Sequence, residues 1–340
     1  MDKMEVVGCG LEVSAQELVA ALEGKSGKPE LQVFANTAAG HEALRRTLTR
    51  GGRRVRVVLE ATGVYGLDVA LALEGQAGIE LMVANPRAVR NFARATMQRS
   101  KNDQLDALVL REFAQRMKFQ AWARPTANTL ALWAIARRLA ALTRERTAEK
   151  NRQHAAQVSQ TTPVVVRREI ARSLRQIEAS ILRLRQAALA CIAADARLAR
   201  RYEQLCSIPG VGAVSAIATL AELAVLPEDR DVRQWVAFAG LDPREYRSGT
   251  SVRKYVRISK VGNRHLRHAL YMPALVACRY EPHLRGFYEH LVQRGKQKRQ
   301  ALLAVARKLL HAIYGMFRSG QTYDGTRVYT LRSAAQTNSQ

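Results

Sequence analysis

The sequence predicts an α/β block of about 124 residues, then a long helical stretch, then a mainly α, strongly basic C-terminal block. Three observations predict it. Short β-branched runs and helical segments alternate up to about residue 84, helical periodicity dominates residues 130–193 with one interruption, and the cations gather behind residue 120.

In the first block Val6-Val7-Gly8, Leu18 to Leu22 and Leu31 to Phe34 read as three short strands, with turns over Gly24 to Pro29. A helix follows from about Thr37 to Arg50. Val55 to Glu60 is a β-branched strand ending at a carboxylate, and Ala61-Thr62-Gly63 leads into a helix through Leu73. Glu80 to Ala84 makes a fifth strand, closed by Asn85-Pro86. Three antiparallel-type strands followed by βα units imply a mixed sheet flanked by helices, the layout of a ribonuclease-H-like domain.

From Leu130 to Ala193 the chain is helical, interrupted at Thr161-Thr162-Pro163. Ile170, Leu174, Ile177, Ile181, Leu184, Ala188 and Cys191 alternate four and three residues apart, which is a heptad seam. It predicts a helical hairpin or an oligomerising coiled coil. Ser207 to Gly212 and the helical Ala213 to Leu223 have the shape of a helix-hairpin-helix, in which Gly210 and Gly212 let backbone N–H groups approach a phosphate. An ordinary glycine turn between helices carries the same pattern. Domain boundaries are therefore expected at 1–124, 125–198 and 199–325, with a frayed tail over 326–340.

Charge narrows the choice of partner. The chain has 54 Lys+Arg against 29 Asp+Glu, a net +25 over 340 residues. Residues 1–120 hold 17 basic and 14 acidic side chains, while residues 121–340 hold 37 and 15. The front is nearly neutral and can gather acidic ligands, whereas the back seeks polyanions and binds them in a salt-sensitive way. Residues 244–267 carry Arg244, Arg247, Arg253, Lys254, Arg257, Lys260, Arg264 and Arg267 against the single acid Glu245, which predicts a phosphate-contact segment. The helical Leu266 to Ala277 behind it is expected to supply packing.

Other classes find no support. No apolar run approaches the roughly 18 residues of a membrane span, and the first five residues lack the layout of a signal peptide, so a cytoplasmic, nucleoid-associated protein is expected. Cys9, Cys191, Cys206 and Cys278 are scattered without C-x-x-C spacing and read as reduced thiols. There is neither a Walker-A loop nor a G-x-G-x-x-G. His265 and His268 share a helix face among arginines and read as surface or phosphate contacts.

The chemistry sits on four carboxylates. Asp103 and Asp106 lie three apart at the start of a helix, so both project from one side. Glu60 ends an apolar strand, where an acid is costly unless paired or exposed in a cleft. Together with Glu12, on or just after the first strand, they form an all-oxygen set suited to Mg²⁺ or Mn²⁺. Two such ions could clamp a scissile phosphate. First-turn acids that merely offset the helix dipole give the same Asp pattern.

At this point the residues resemble a family. Val7 to Leu22, Glu60-Ala61-Thr62-Gly63-Val64-Tyr65, Asn85-Pro86, Lys101 to Ala107, Ile208 to Gly212, Phe238 to Pro243, Ser248-Gly249 and Gly262 to Arg267 occur in order. Over roughly residues 5–325 they resemble the DEDD transposases of the insertion-sequence one-ten family, relatives of the Piv-type DNA invertases. The resemblance implies a RuvC-like domain, a coiled-coil linker and a C-terminal transposase domain. It further implies a multimeric recombinase (dimer or tetramer) that uses a structured bridge RNA to choose donor and target DNA. It places the acidic tetrad on Glu12, Glu60, Asp103 and Asp106, and a nucleophilic serine on Ser248. The first tetrad position is usually Asp and here is Glu12, and Ala15 stands where lysine is common.

By composition alone Ser248-Gly249 is a turn dipeptide. Its setting among Arg244, Arg247, Arg253 and Lys254 nonetheless favours an alkoxide and a phosphorane. Two other readings stand beside a phosphoserine route: a resolvase-like nuclease or transposase in which water or a 3′ hydroxyl attacks, and a non-catalytic nucleic-acid-bridging protein.

Overall fold

The protein is described by a computed structural model. It covers residues 6–24, 27–61, 63, 65–98, 100, 102–248 and 252–331, with the side chains of 246–248 and 252–256 outside the description. Two compact units meet between Arg124 and Pro125.

The first unit is a five-stranded mixed sheet between two helical layers. Strands β1 (Val6–Val13), β2 (Glu17–Glu23) and β3 (Pro29–Ala35) are antiparallel, while β4 (Arg54–Glu60) and β5 (Ile79–Ala84) run parallel to β1, giving the order β3-β2-β1-β4-β5. β1 is therefore central, and its first strand is longer than expected, since it continues past Gly8 and includes Glu12. Strand pleating sends alternate residues to opposite layers. Cys9 and Leu11 of β1, with Val57 and Leu59 of β4, pack under helices α1 (Ala38–Thr49) and α2 (Tyr65–Leu73). Val58 faces the other way, into a cluster with Val89 of α3 (Pro86–Ala95) and Leu110 and Phe113 of α4 (Asp103–Arg116). Helix α3 goes beyond the expected turn at Asn85-Pro86. Asn85 is its N-cap, accepting from the Arg87 N–H at 2.9 Å, and Pro86 occupies the first helical position, where its missing N–H costs nothing.

The second unit is helical apart from one hairpin. Helices α5 (Ala127–Val158) and α6 (Val164–Ala193) fold back on each other across the expected break, with Lys150 and Glu178 paired at 3.7 Å between them. All seven heptad positions of α6 are buried or half-buried, so α5 covers the seam within one chain. Leu132, Ala136, Ala188 and Ile192, at the open end of the pair, join one core with α7 (Ala196–Cys206), α8 (Ala213–Ala224), α9 (Val232–Ala239), α10 (Arg264–Tyr280), α11 (Pro282–Gln293) and α12 (Lys298–Ser319). The core is thus continuous across residue 198.

Within the segment 244–267, expected only as a phosphate-contact stretch, the chain forms an antiparallel hairpin, β6 (Pro243–Ser248) and β7 (Val252–Ile258). At the start of the stretch expected as a tail, a 3₁₀ turn at Gly325–Arg327 leads to buried Val328, and the Tyr329 carbonyl contacts His283 Nδ1 at 2.7 Å. Residues 332–340 lie outside the described residues. Among the described residues no helix is long and apolar enough to cross a membrane, and all four cysteines are free thiols. Burial pushes the Cys9 thiol up to about 12.

Candidate active site

Backbone register sets two acids of the first unit at the ends of neighbouring strands. β1 and β4 pair in parallel through Leu11 and Leu59, so the next step of the same register sets Glu12 beside Glu60 at the carboxyl ends of neighbouring strands. Residues so paired share a sheet face and lie about 4.8 Å apart. That face is the α4 side, because Gly8, Gly10 and Glu12 alternate with Cys9 and Leu11, and Val58 alternates with Leu59.

Two glycines draw α4 onto the strand. A Cβ on Gly10 would lie 2.0 Å from the Ala107 carbonyl oxygen and 2.3 Å from the Arg111 nitrogen, so helix and strand backbones touch there. A Cβ on Gly8 would meet Gln115 Cγ at 3.0 Å. Moving from Gly8 to Gly10 moves the contact back along α4, which therefore runs antiparallel to β1. Two strand residues rise about 6.6 Å and four helical residues about 6 Å. One further step, from Gly10 to Glu12, reaches the first turn of α4.

That turn carries Asp103 and Asp106, and its N-cap is Asn102, whose side chain accepts from the Leu105 N–H at 2.8 Å. Glu12, Glu60 and Asp106 are half-buried and Asp103 is exposed, so the four acids line an open edge of the sheet, not its core. The crevice beyond the carboxyl ends of parallel strands is where open α/β sheets bind ligands. A set of hard carboxylate oxygens at a solvent-accessible rim fits a divalent cation in kind. Among the described residues no three His, Cys, Asp or Glu side chains close to single-ion coordination. Thr62, Val64 and Lys101, which belong to the same sequence blocks, lie outside the described residues.

The backbone register of the second unit's hairpin sets arginine positions opposite one another. Arg244 faces Arg257 and Arg247 faces Arg253 in the ladder, with a register shift between Arg244 and Tyr246. Like charges directly opposite each other are destabilising, and a polyanion relieves them. Ser248 ends β6 opposite Val252, and Gly249 lies outside the described residues. Exposed Arg244, Arg257, Lys260 and Arg264 remain open to a ligand.

The base of the hairpin is clamped to the end of α9. Ser259 Oγ donates to Asp242 Oδ1 at 2.6 Å, the Lys260 N–H donates to the Gly240 carbonyl at 3.1 Å, and the Asn263 N–H donates to the Phe238 carbonyl at 2.6 Å. Arg267 is part of this clamp, since its Nη1 donates to the Ala239 carbonyl at 2.8 Å. This contact caps the end of α9, a usual use of a cation at a helix carboxyl terminus. Gly210 is likewise committed to packing. With φ at +91°, it lets α10 approach so closely that a Cβ would sit 2.8 Å from Val276 Cγ1. Gly212 is open, and as N-cap of α8 it leaves the first-turn N–H groups without a side-chain acceptor.

Sequence reasoning missed the network that fixes the start of α10. Glu222, buried on α8, accepts from Arg137 Nε at 3.0 Å and Nη2 at 3.2 Å, and from Asn263 Nδ2 at 2.5 Å. Asn263 also caps α10, accepting from the His265 and Leu266 N–H groups. The Trp133 ring lies 4.0 Å from the Arg137 guanidinium carbon. An acid inside the apolar stretch of α8 was the available signal, since it requires a partner.

Comparison with known proteins agrees with this division. A DEDD transposase model of the IS110 type matches residues 9–163, which contain the four acids, and a model described as "Transposase IS116/IS110/IS902 family" matches residues 202–289, which contain the hairpin. The "Pilin gene-inverting protein" of Moraxella bovis is 27% identical over 273 residues, covering 79% of this chain and 82% of the relative. Its counterpart in Moraxella lacunata is 28% identical over 277 residues with the same coverage. A "Probable family 20 transposase" of Pseudomonas aeruginosa is 36% identical over 103 residues, 30% of this chain and 29% of the relative. The chain belongs to the IS110-type transposases, DNA transposases and recombinases of mobile elements related to the pilin gene-inverting proteins.

Proposed function

We propose that the protein cuts and rejoins DNA strands through a phosphoserine intermediate on Ser248, with Mg²⁺ or Mn²⁺ held by Glu12, Glu60, Asp103 and Asp106. The observation that supports this reading is the parallel β1–β4 register, which pairs Leu11 with Leu59, the residues just before Glu12 and Glu60, on the sheet face that α4 packs against. In this reading residues 1–124 are a ribonuclease-H-like, RuvC-like domain, 125–198 act as a coiled coil, and 207–223 act as a helix-hairpin-helix. The bound metal supplies Lewis-acid stabilisation of charge on the phosphate. Ser248 Oγ forms a new P–O ester as one deoxyribose P–O bond breaks, and its proton passes to the leaving oxygen. A second deoxyribose hydroxyl then reverses the exchange on another strand. One ester replaces another at each step, so no external energy source is required.

The partners in this reading are donor and target DNA, a structured bridge RNA and further copies of the chain. The RNA follows from the family resemblance, and base pairing would then do the sequence reading. Sequencing RNA that co-purifies with the protein from its host checks this part. A discrete structured species from beside its own gene is expected.

Trapping on DNA tests the chemistry. Wild-type protein with Mg²⁺ or Mn²⁺ should yield a denaturant-resistant protein–DNA adduct that Ser248→Ala abolishes. Glu60→Ala should lower cleavage by about a thousandfold or more, the scale of a lost Lewis acid. If wild type forms no adduct and Ser248→Ala cuts normally while Glu60→Ala does not, the nucleophile is water or a 3′ hydroxyl. If no divalent metal supports cleavage or exchange, the protein only bridges nucleic acids.

A further inference from the structure

Away from the acids and the hairpin, the second unit has a cavity of about 490 Å³ bordered by α10, α11 and the start of α12. Its volume falls within the range of about 300–1,000 Å³ usual for ligand sites. Tyr271 and Arg279 on α10, Tyr288 on α11, and Lys298 and Arg299 on α12 line it. Leu275 and Leu302 supply apolar wall. Tyr271, Leu275 and Arg279 recur every four residues, so one side of α10 presents an aromatic, an aliphatic and a cation in sequence.

The lining holds three cations and no acid. Among the described residues none of these cations makes an ion pair, although the chain elsewhere pairs Arg with Glu repeatedly. The surroundings deepen the field. Residues 264–308 contain ten Lys and Arg against Glu281 and Glu289, and Glu281 is buried, capping α11 through the Leu284 N–H. Lys298 and Arg299 also open a 22-residue helix whose N-cap, Gln297, makes no side-chain cap. Cations at the positive end of a helix dipole are unfavourable, and a bound anion reverses that. Tyr271 is 40% exposed, as are neighbouring Met272 at 53% and Tyr280 at 71%, so aromatic and thioether surface stays in water beside the charges.

Aromatic faces interleaved with unpaired cations around an apolar wall suit one ligand chemistry above others: unpaired nucleobases that stack, flanked by phosphates that the cations neutralise. We propose that this cavity binds a single-stranded stretch of nucleic acid, with bases on Tyr271 and Tyr288 and phosphates on Arg279, Lys298 and Arg299. Duplex DNA buries its base faces and cannot use the tyrosines. The inference rests on the chain acting on nucleic acid, but its test requires no strand cleavage.

Fluorescence anisotropy with full-length protein compares labelled oligonucleotides of about ten nucleotides, within the usual site size: single-stranded DNA, RNA of the same sequence, and the DNA duplex. Tyr271→Leu combined with Tyr288→Leu should weaken single-strand binding about tenfold or more and leave duplex binding within about twofold. Phe at both positions should retain single-strand affinity, because Phe stacks and fills the same volume. Lys298→Glu with Arg299→Glu, both on exposed positions, should also weaken it. Tighter binding of RNA than DNA identifies RNA as the natural strand, and the reverse or equality identifies a displaced DNA strand. Unchanged affinity in the Leu variant, or an equal loss on duplex, overturns the proposal, and loss in the charge variant alone reduces the cavity to a plain anion site and overturns it too. A protein that binds single strands through these tyrosines yet never cuts DNA would overturn the proposed function and leave this site standing.

Discussion

Gly10 decides how closely α4 can lie on β1, and therefore where Asp103 and Asp106 stand relative to Glu12. With backbone atoms at 2.0 and 2.3 Å from a would-be Cβ, Gly10→Ala must push the helix away. Overpacking of this kind costs about 1–3 kcal/mol. Urea unfolding should show that loss, and cleavage should fall further than stability alone explains because the acids separate. Glu12→Asp is the companion test. It shortens one ligand by a methylene, so the ratio of activity in Mg²⁺ to that in Mn²⁺ should change more than total binding of DNA does; an unchanged ratio would remove Glu12 from the metal set. All four acids were legible in the sequence by type and by their places at a strand end and a helix start. Their alignment was not, because register between β1 and β4 depends on pairing across 48 residues that no local pattern encodes. The structural roles of Arg267 and Gly210 were hidden for a related reason. A cation or a glycine in a basic segment looks like a phosphate contact until the helix end or helix flank it serves is in view.

Elements differ in how openly they announce themselves. Strand β4 carries a β-branched run in which Val57, Val58 and Leu59 are buried in succession and was readable, while α3 was hidden because Asn85-Pro86 signals a strand's end and a helix's start equally well. The β6–β7 hairpin was hidden by its cations, which outweigh the alternate apolar positions Val252, Val256 and Ile258 of β7. Its cross-strand Arg244–Arg257 pair yields a prediction at this scale. Arg244→Gln removes one repulsive pair, so stability should stay level or rise by a few tenths of a kcal/mol. DNA binding should weaken, and the slope of log affinity against log salt should become shallower by about 0.9 if Arg244 contacts one phosphate of a duplex. An unaltered slope would show that the hairpin's charge serves something other than DNA. The Glu222 network adds a second prediction. Arg137→Met leaves a buried carboxylate with only Asn263 as partner, costing about 3 kcal/mol. Restoring neutrality with Glu222→Gln in the same chain should recover part of that loss, as a double-mutant cycle would record.

Across the whole molecule, buried and half-buried histidines tie both units to pH. His41 in the first unit and His265 and His311 in the second all have their pKa lowered, chiefly because burial disfavours the charged ring. Asp68 opposes the shift at His41 and Glu222 opposes it at His265, while Arg307 and Lys308 reinforce it at His311. A folded pKa below the unfolded value near 6.5 means that the unfolded chain takes up protons first. Stability from these groups is therefore complete above about pH 6.5 and declines as pH falls below it. Glu80 and Glu228, held low first by hydrogen bonds from Arg56 and Arg197, add a separate loss that begins only below about pH 4.5. The melting temperature should accordingly be flat from pH 8 to about 6.5, fall between 6.5 and 5, and fall again in stronger acid. General repulsion on a chain of net charge +25 also grows as histidines protonate, so the two causes must be separated. His311→Gln keeps a neutral side chain at the one site of the three flanked only by cations, and it should flatten the upper step while leaving the lower one in place. If the upper step persists in full in His311→Gln, His41→Gln and His265→Gln and in the combination of all three, the acid sensitivity comes from net charge and not from these imidazoles.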